Sequence, residues 1–240
     1  MKRLFVTVPV LLILLVLCAF AAADGQTGKA AYEIGACVTF GAYEQDGDPE
    51  NGAEPIEWIV IGERYGGLVL MSKYALDAAP YNTFRTDVTW ETCTLRARLN
   101  DDFYNAAFSP TEQARIVPVT LENEDNPVHA VDGGRATQDR VWLLAIKEVT
   151  DQFGAGSAYG YFTDDASRMC APTEYALARH AYQSAAYSVN GVAACFCWLR
   201  SPGDSAEDAA CIDTDGSVYT YGDFVSSDII GVRPVVVVLP

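Results

Sequence analysis

Two arginines stand in apolar runs that would ordinarily hold none. Arg200 lies in Trp198-Leu199-Arg200-Ser201-Pro202-Gly203, directly after Cys195-Phe196-Cys197. Arg233 lies in Gly231-Val232-Arg233-Pro234-Val235, which continues through Val236-Val237-Val238-Leu239. A guanidinium is tolerated in such a run when carboxylates or backbone carbonyls take its donors. Binding of an anionic ligand is the alternative use. The structural use is favoured, with Glu57 or Asp101 as the buried acids and the two arginines on neighbouring strands.

A second chemistry is offered between Asp204 and Asp228. Asp204, Glu207, Asp208, Asp213, Asp215, Asp223 and Asp228 are interleaved there with Tyr219, Tyr221 and Phe224. Aromatic faces beside carboxylates suit sugar hydroxyls or cationic groups. Asp213, Asp215, Tyr219, Tyr221 and Asp223 are therefore the candidate ligand-binding residues. On a strand, Asp213, Tyr219 and Tyr221 would share an exposed face, with Cys211 and Val218 turned elsewhere. Asp213-Thr214-Asp215-Gly216 resembles part of a calcium loop but lacks the bidentate acid that should follow. An ordinary acidic hairpin is the better reading. Calcium is the one ion these groups would suit, and no other cofactor is expected. The loop Asp46–Glu50 is a weaker cation candidate.

The remaining reactive residues point away from catalysis. His129 and His180 are the only histidines, and neither sits in a nucleophile motif. His180 is expected on an exposed helix face. Trp58, Trp90, Trp142 and Trp198 lie in apolar periodic segments, so they are expected in the core, with Trp58 and Trp198 structural. No CxxC pair and no Cys/His cluster occurs, so no metal site is expected. Six cysteines follow residue 23: Cys37, Cys93, Cys170, Cys195, Cys197 and Cys211. Cys93 reads as a buried free thiol on a helix face. Cys195 and Cys197 point to one side of a strand and are not expected to bond to each other. A bridge from Cys170 to either is an even alternative to none.

Location sets the context for that pairing. Lys2-Arg3, an apolar run from Leu4 to Phe20, and Ala21-Ala22-Ala23 have the form of a signal peptide over residues 1–23. A retained membrane anchor is the rival reading of that segment. A lipid anchor at Cys18 is disfavoured by the bulk of Leu17 before it. No second span of membrane length follows, so residues 24–240 read as a single domain that is secreted or extracytoplasmic. Loss of Lys2 and Arg3 takes the formal charge from −16 to −18. Such a chain repels nucleic acid and anionic membranes. Its 50% hydrophobic content excludes disorder as the cause of that charge.

The elements that must position these residues read as α+β. Cys37–Tyr43, Ile56–Glu63 and Gly67–Lys73 form an opening meander. Leu95, Leu99 and Phe103 predict an amphipathic helix over Glu91–Asn100, breaking near Asp101. Ser109-Pro110-Thr111-Glu112 predicts a capped helix from Pro110 to Ala114. Ile116–Leu121 and Val141–Ala145 read as strands, with a short helix starting at Lys147. Pro172-Thr173-Glu174 opens a helix to about Tyr182. The tail reads as strands Cys195–Arg200, Ala209–Asp213, Ser217–Tyr221 and Val232–Leu239, with a tight turn at Asp215-Gly216.

Several segments carry a resemblance in combination. They include Phe40-Gly41-Ala42-Tyr43-Glu44-Gln45, Pro55-Ile56-Glu57-Trp58-Ile59-Val60, Thr89-Trp90-Glu91-Thr92-Cys93-Thr94-Leu95-Arg96, Trp198-Leu199-Arg200-Ser201-Pro202-Gly203 and Val232-Arg233-Pro234-Val235. Over about residues 35–239 the chain resembles a bacterial family of exported proteins known as a domain of unknown function. That resemblance implies one intact domain and no established activity. A more distant similarity is to the C-type-lectin-like fold and its formylglycine-generating-enzyme branch. It implies a central antiparallel sheet, short helices and long loops, with the terminal strands in one sheet. The sugar-lectin tripeptides Glu-Pro-Asn and Trp-Asn-Asp are absent, and Cys195 and Cys197 are spaced more closely than the enzyme's cysteine pair. The reading is thus an exported, non-catalytic binding module for an extracellular glycan, peptide or protein. A metal- or thiol-dependent oxidase of the formylglycine-generating type and a structural surface protein are the alternatives.

Overall fold

The computed structural model describes residues 32–240, so the expected signal peptide and its cleavage site lie outside the described residues. The opening meander forms as expected: β1 (Cys37–Tyr43), β2 (Glu54–Arg64) and β3 (Gly67–Ser72) pair antiparallel. The last strand, β13 (Val235–Val238), pairs antiparallel with the free side of β3. The sheet order is β1-β2-β3-β13, so the first and last strands share a sheet with two strands between them. β3 and β13 are buried along their whole length. That explains why their sequences are continuous apolar runs without polar alternation.

A second sheet has the order β11-β10-β9-β12-β4. Its strands are β4 (Asp77–Ala78), β9 (Cys197–Pro202), β10 (Asp208–Ile212), β11 (Val218–Phe224) and β12 (Gly231–Val232). All neighbours are antiparallel except β9 and β12, which run parallel. One central antiparallel sheet is therefore replaced by two sheets. The valine run expected as a single strand is split between them at Arg233-Pro234, because proline has no N–H to continue the ladder. Two small hairpins complete the β-structure: β5 (Val119–Leu121) with β6 (Thr137–Asp139), and β7 (Gln183–Val189) with β8 (Val192–Cys195).

The helices are short, and the first starts later than expected. Thr92 and Cys93 donate to the Thr89 carbonyl in a turn, and Cys93 has extended backbone, so α1 spans only Thr94–Arg98. The Cys93 thiol accepts from the Arg96 N–H: it is a buried helix cap, where a helix-face position was expected. The helix does not break at Asp101. A wider turn over Leu99–Phe103 carries it into α2 (Tyr104–Ala107). α3 (Pro110–Gln113) has the expected capping box, Ser109 with Glu112. α4 covers Glu174–Ala178 and closes at His180, whose φ is +76°. His180 therefore lies past the helix end, not on its face. Val141–Ala145 is no strand; only Trp142 bridges, to Val235. The predicted helix from Lys147 is a single wide turn, Glu148–Gln152. Among the described residues, no helix is long and apolar enough to cross a membrane.

Candidate functional site

The two arginines are buried, and their guanidiniums donate to carbonyls and polar side chains. Arg200 on β9 donates to the Leu143 and Glu122 carbonyls (both 3.1 Å), to Asn123 Oδ1 (3.2 Å), and to Glu148 Oε2. Glu148, itself buried, also accepts the Ala145 N–H at 3.0 Å. Arg233 lies just beyond β12, where the chain crosses between sheets, and its Nε donates to the Ser72 carbonyl at 2.9 Å. Its Nη1 donates to the Arg168 carbonyl at 3.2 Å, and Ser72 N–H returns a bond to the Pro234 carbonyl at 2.9 Å. Both arginines thus hold irregular backbone in place. The acids expected to pair with them do not: Glu57 takes Lys73 at 2.9 Å, and Asp101 accepts from Asn105 on the surface.

The tryptophans are core residues, as expected. All four are essentially buried, and three donate their ring N–H: Trp58 to the Phe40 carbonyl, Trp90 to Asp139, and Trp198 to the Ala79 carbonyl. None offers a stacking face. Beside Arg200 lies a cleft of about 400 Å³, whose lining includes Arg64, Glu122, Lys147, Glu148, Asp151 and Arg200. Glu148 Oε1 has no hydrogen-bond partner there and stands 3.6 Å from Arg64 Nη1.

The exposed chemistry is on β11. The hairpin from β10 turns at Asp215-Gly216, as the sequence predicts. Gly216 has φ +87°, and a Cβ there would lie 1.8 Å from the Asp165 carbonyl oxygen, so glycine is required twice over. β11 is an edge strand. Tyr219 and Tyr221 are 42% and 55% exposed with ring centroids 6.0 Å apart, and Phe224 is 46% exposed with Arg85 over its face. The register sets Cys211 opposite Tyr219, so the thiol shares the tyrosine face instead of turning away, while Val218 pairs with Ile212.

Two residues of this face were not found from sequence. His129 packs on Tyr221 with centroids 4.5 Å apart, and its Nε2 is 3.4 Å from Thr220 Oγ1. Asn126, buried, fixes that loop: its Nδ2 donates to the Pro202, Gly203 and Thr220 carbonyls, and its Oδ1 accepts the Val128 and His129 N–H groups. Nothing in their local sequence signals a contact so far along the chain.

The three candidate acids serve the turns. Asp213 accepts from Thr214, Asp215 from the Ser217 N–H at 2.8 Å, and Asp223 from the Phe224 N–H at 2.7 Å. The Ser217 bond holds the Asp215 carboxyl below its usual range. Among the described residues, two groups bring three ligand atoms within 4.8 Å of one another, and none of these acids belongs to either. One is Glu44, Asp46 and Glu54, whose oxygens accept N–H groups of their own loop. The other is Cys170, Cys195 and Cys197.

The cysteine trio is assembled from two segments. Cys195 ends β8 and bridges to Cys170, donating its N–H to the Cys170 carbonyl at 2.8 Å. Cys197 begins β9, with its Sγ 3.9 Å from Cys195 Sγ. All three are buried thiols, as are Cys93 and Cys211; Cys37 is exposed. Burial would raise Cys170, but thiol hydrogen bonds from Cys195 and Cys197, with the Arg233 guanidinium nearby, outweigh it and hold its sulfur well below the usual thiol range. Donation to Cys170 pushes Cys195 and Cys197 up. Burial, against the N–H groups of Leu95 and Arg96 that lower it, pushes Cys93 up to about 12.

These elements define an α+β domain with an aromatic edge strand and a buried thiol trio. Residues 65–240 match a family described as a domain of unknown function (DUF6273), and the chain belongs to that family. No curated protein matches the chain, and no solved structure does.

Proposed function

We propose that the chain is an exported, non-catalytic binding module of C-type-lectin-like architecture, holding a glycan, peptide or protein ligand on β11. The observation that carries this reading is the half-exposed pair Tyr219 and Tyr221 on an edge strand, with His129 packed against Tyr221. Side-by-side tyrosine rings offer apolar faces and hydroxyls at small entropic cost, which suits sugars and peptides alike. Asp213, Asp215 and Asp223 contribute negative potential while holding the turns, so the ligand is neutral or cationic and binding needs no calcium. The acidic charge keeps nucleic acid and anionic membranes from competing.

The oxidase alternative is weaker because Cys170, Cys195 and Cys197 are at most 3% exposed, and buried thiols do not meet a polypeptide substrate. A purely structural surface protein would leave the tyrosine face without a use. The test is a glycan and peptide array probed with the purified mature domain. Tyr219→Ala with Tyr221→Ala should abolish the strongest hit, and chelation of calcium should not. Loss of binding on changing Lys147 or Asp151 instead would move the site to the cleft beside Arg200 and overturn the β11 assignment.

A further inference from the structure

We propose that Cys170, Cys195 and Cys197 form a three-thiolate site for a soft d10 metal ion, zinc(II) or copper(I). The three sulfurs converge within 4.8 Å of one another, and Cys195 and Cys197 are 3.9 Å apart. Sulfurs about 2.3 Å from a central ion in a trigonal arrangement sit about 4 Å from one another. The observed spacing therefore needs adjustments below about 1 Å to close on an ion. Thiolates select soft ions over calcium or magnesium, and no oxygen or imidazole donor joins the group among the described residues.

Charge favours zinc(II) of the two. Arg233 lies beside the trio, and it lines with Cys197 a cavity of about 20 Å³. A divalent ion, three thiolates and one guanidinium cancel, so the buried assembly is neutral. A tetrahedral zinc would need one donor beyond the three sulfurs. Copper(I) would be held by the sulfurs alone. The ion would clasp the segment before α4 to the junction of β8 and β9, and this assignment does not depend on the ligand proposed for β11.

The rival is a disulfide. Cys170 and Cys195 are directly opposed, and such Cα spacings fall within the range a disulfide spans. The two outcomes are separable on the unsubstituted mature chain. Metal-free, reduced protein is titrated with zinc(II) against a chromophoric chelator, and separately with copper(I) without oxygen. One equivalent should bind in at least one arm and protect three thiols from alkylation. X-ray absorption should show three sulfur neighbours at about 2.3 Å. Cys170→Ser and Cys195→Ser should weaken binding by at least about 100-fold, while Cys93→Ser and Cys211→Ser leave it unchanged. Absorption spectra dominated by oxygen or nitrogen neighbours would overturn the proposal without relying on any variant. So would failure of both ions to bind, or a disulfide within the trio in protein recovered from an oxidising compartment that takes up neither ion once reduced.

Discussion

Replacing Arg200 by Met tests whether that arginine is structural. The side chain is 4% exposed and supplies donors to Glu148, Asn123 and the carbonyls of Glu122 and Leu143. Methionine fills much of the volume but leaves Glu148 charged in a site where its side chain is 5% exposed. Removing one partner of a buried ion pair costs about 3–5 kcal/mol. Arg64, 3.6 Å from the other Glu148 oxygen, moderates the loss, so about 3 kcal/mol is expected. With a urea slope of about 2–3 kcal/mol/M, the midpoint should fall by roughly 1–1.5 M, and the slope should hold. Adding Glu148→Gln removes the orphaned charge and should recover part of the loss. A single variant less than about 1 kcal/mol below the parent would refute the reasoning. So would a double variant that is less stable than the single one.

Three further expectations rest on separate observations. Gly216→Ala should lower the melting temperature by several degrees, since it meets both a left-handed backbone and a carbonyl 1.8 Å away; an unchanged melt would refute this. Tyr219→Ala with Tyr221→Ala should shift stability by only about 1 kcal/mol despite losing the ligand, because both rings lie half in water on an edge strand. Circular dichroism melts would check that. Burial would raise the Glu112 pKa, but donors from Ser109 and Gly41 outweigh it and hold the carboxyl below its usual range. Its contribution is therefore full above the unfolded value of about 4.3 and is lost as pH falls through the folded pKa. Glu112→Gln should cost about 1 kcal/mol at pH 7, with the gap to the parent closing below about pH 4. A gap that widens in acid would contradict the sign.

What could be read from the chain was local. Ser109-Pro110-Thr111-Glu112, Asp215-Gly216 and the opening meander each carry their signal within a few residues, and each formed where expected. Arg200 and Arg233 announced their burial, but their partners lie on distant segments that periodicity does not address. Val141–Ala145 is apolar because it is enclosed on all sides, and a short enclosed run reads like a strand without being one. The β7–β8 hairpin was missed because Gln183–Val189 is mostly exposed and has little apolar alternation. The thiol trio was hidden for a related reason. Cys170 reaches Cys195 and Cys197 through a bridge between segments, whereas motif spacing registers ligands carried on one.

The placement of β13 has a consequence for how the molecule is made. β3 has a bare edge until Val235–Val238 docks on it, and the Ser72 carbonyl waits for an arginine 161 residues further along. A chain emerging amino-end first therefore synthesises most of its length before its first sheet can close. Contacts at that separation form slowly, and an uncovered strand edge invites pairing with another chain. During that interval the nascent polypeptide stays open. Until Val235–Val238 arrives, the apolar edge of β3 has no partner from its own chain, so what guards that edge is the speed with which synthesis is completed.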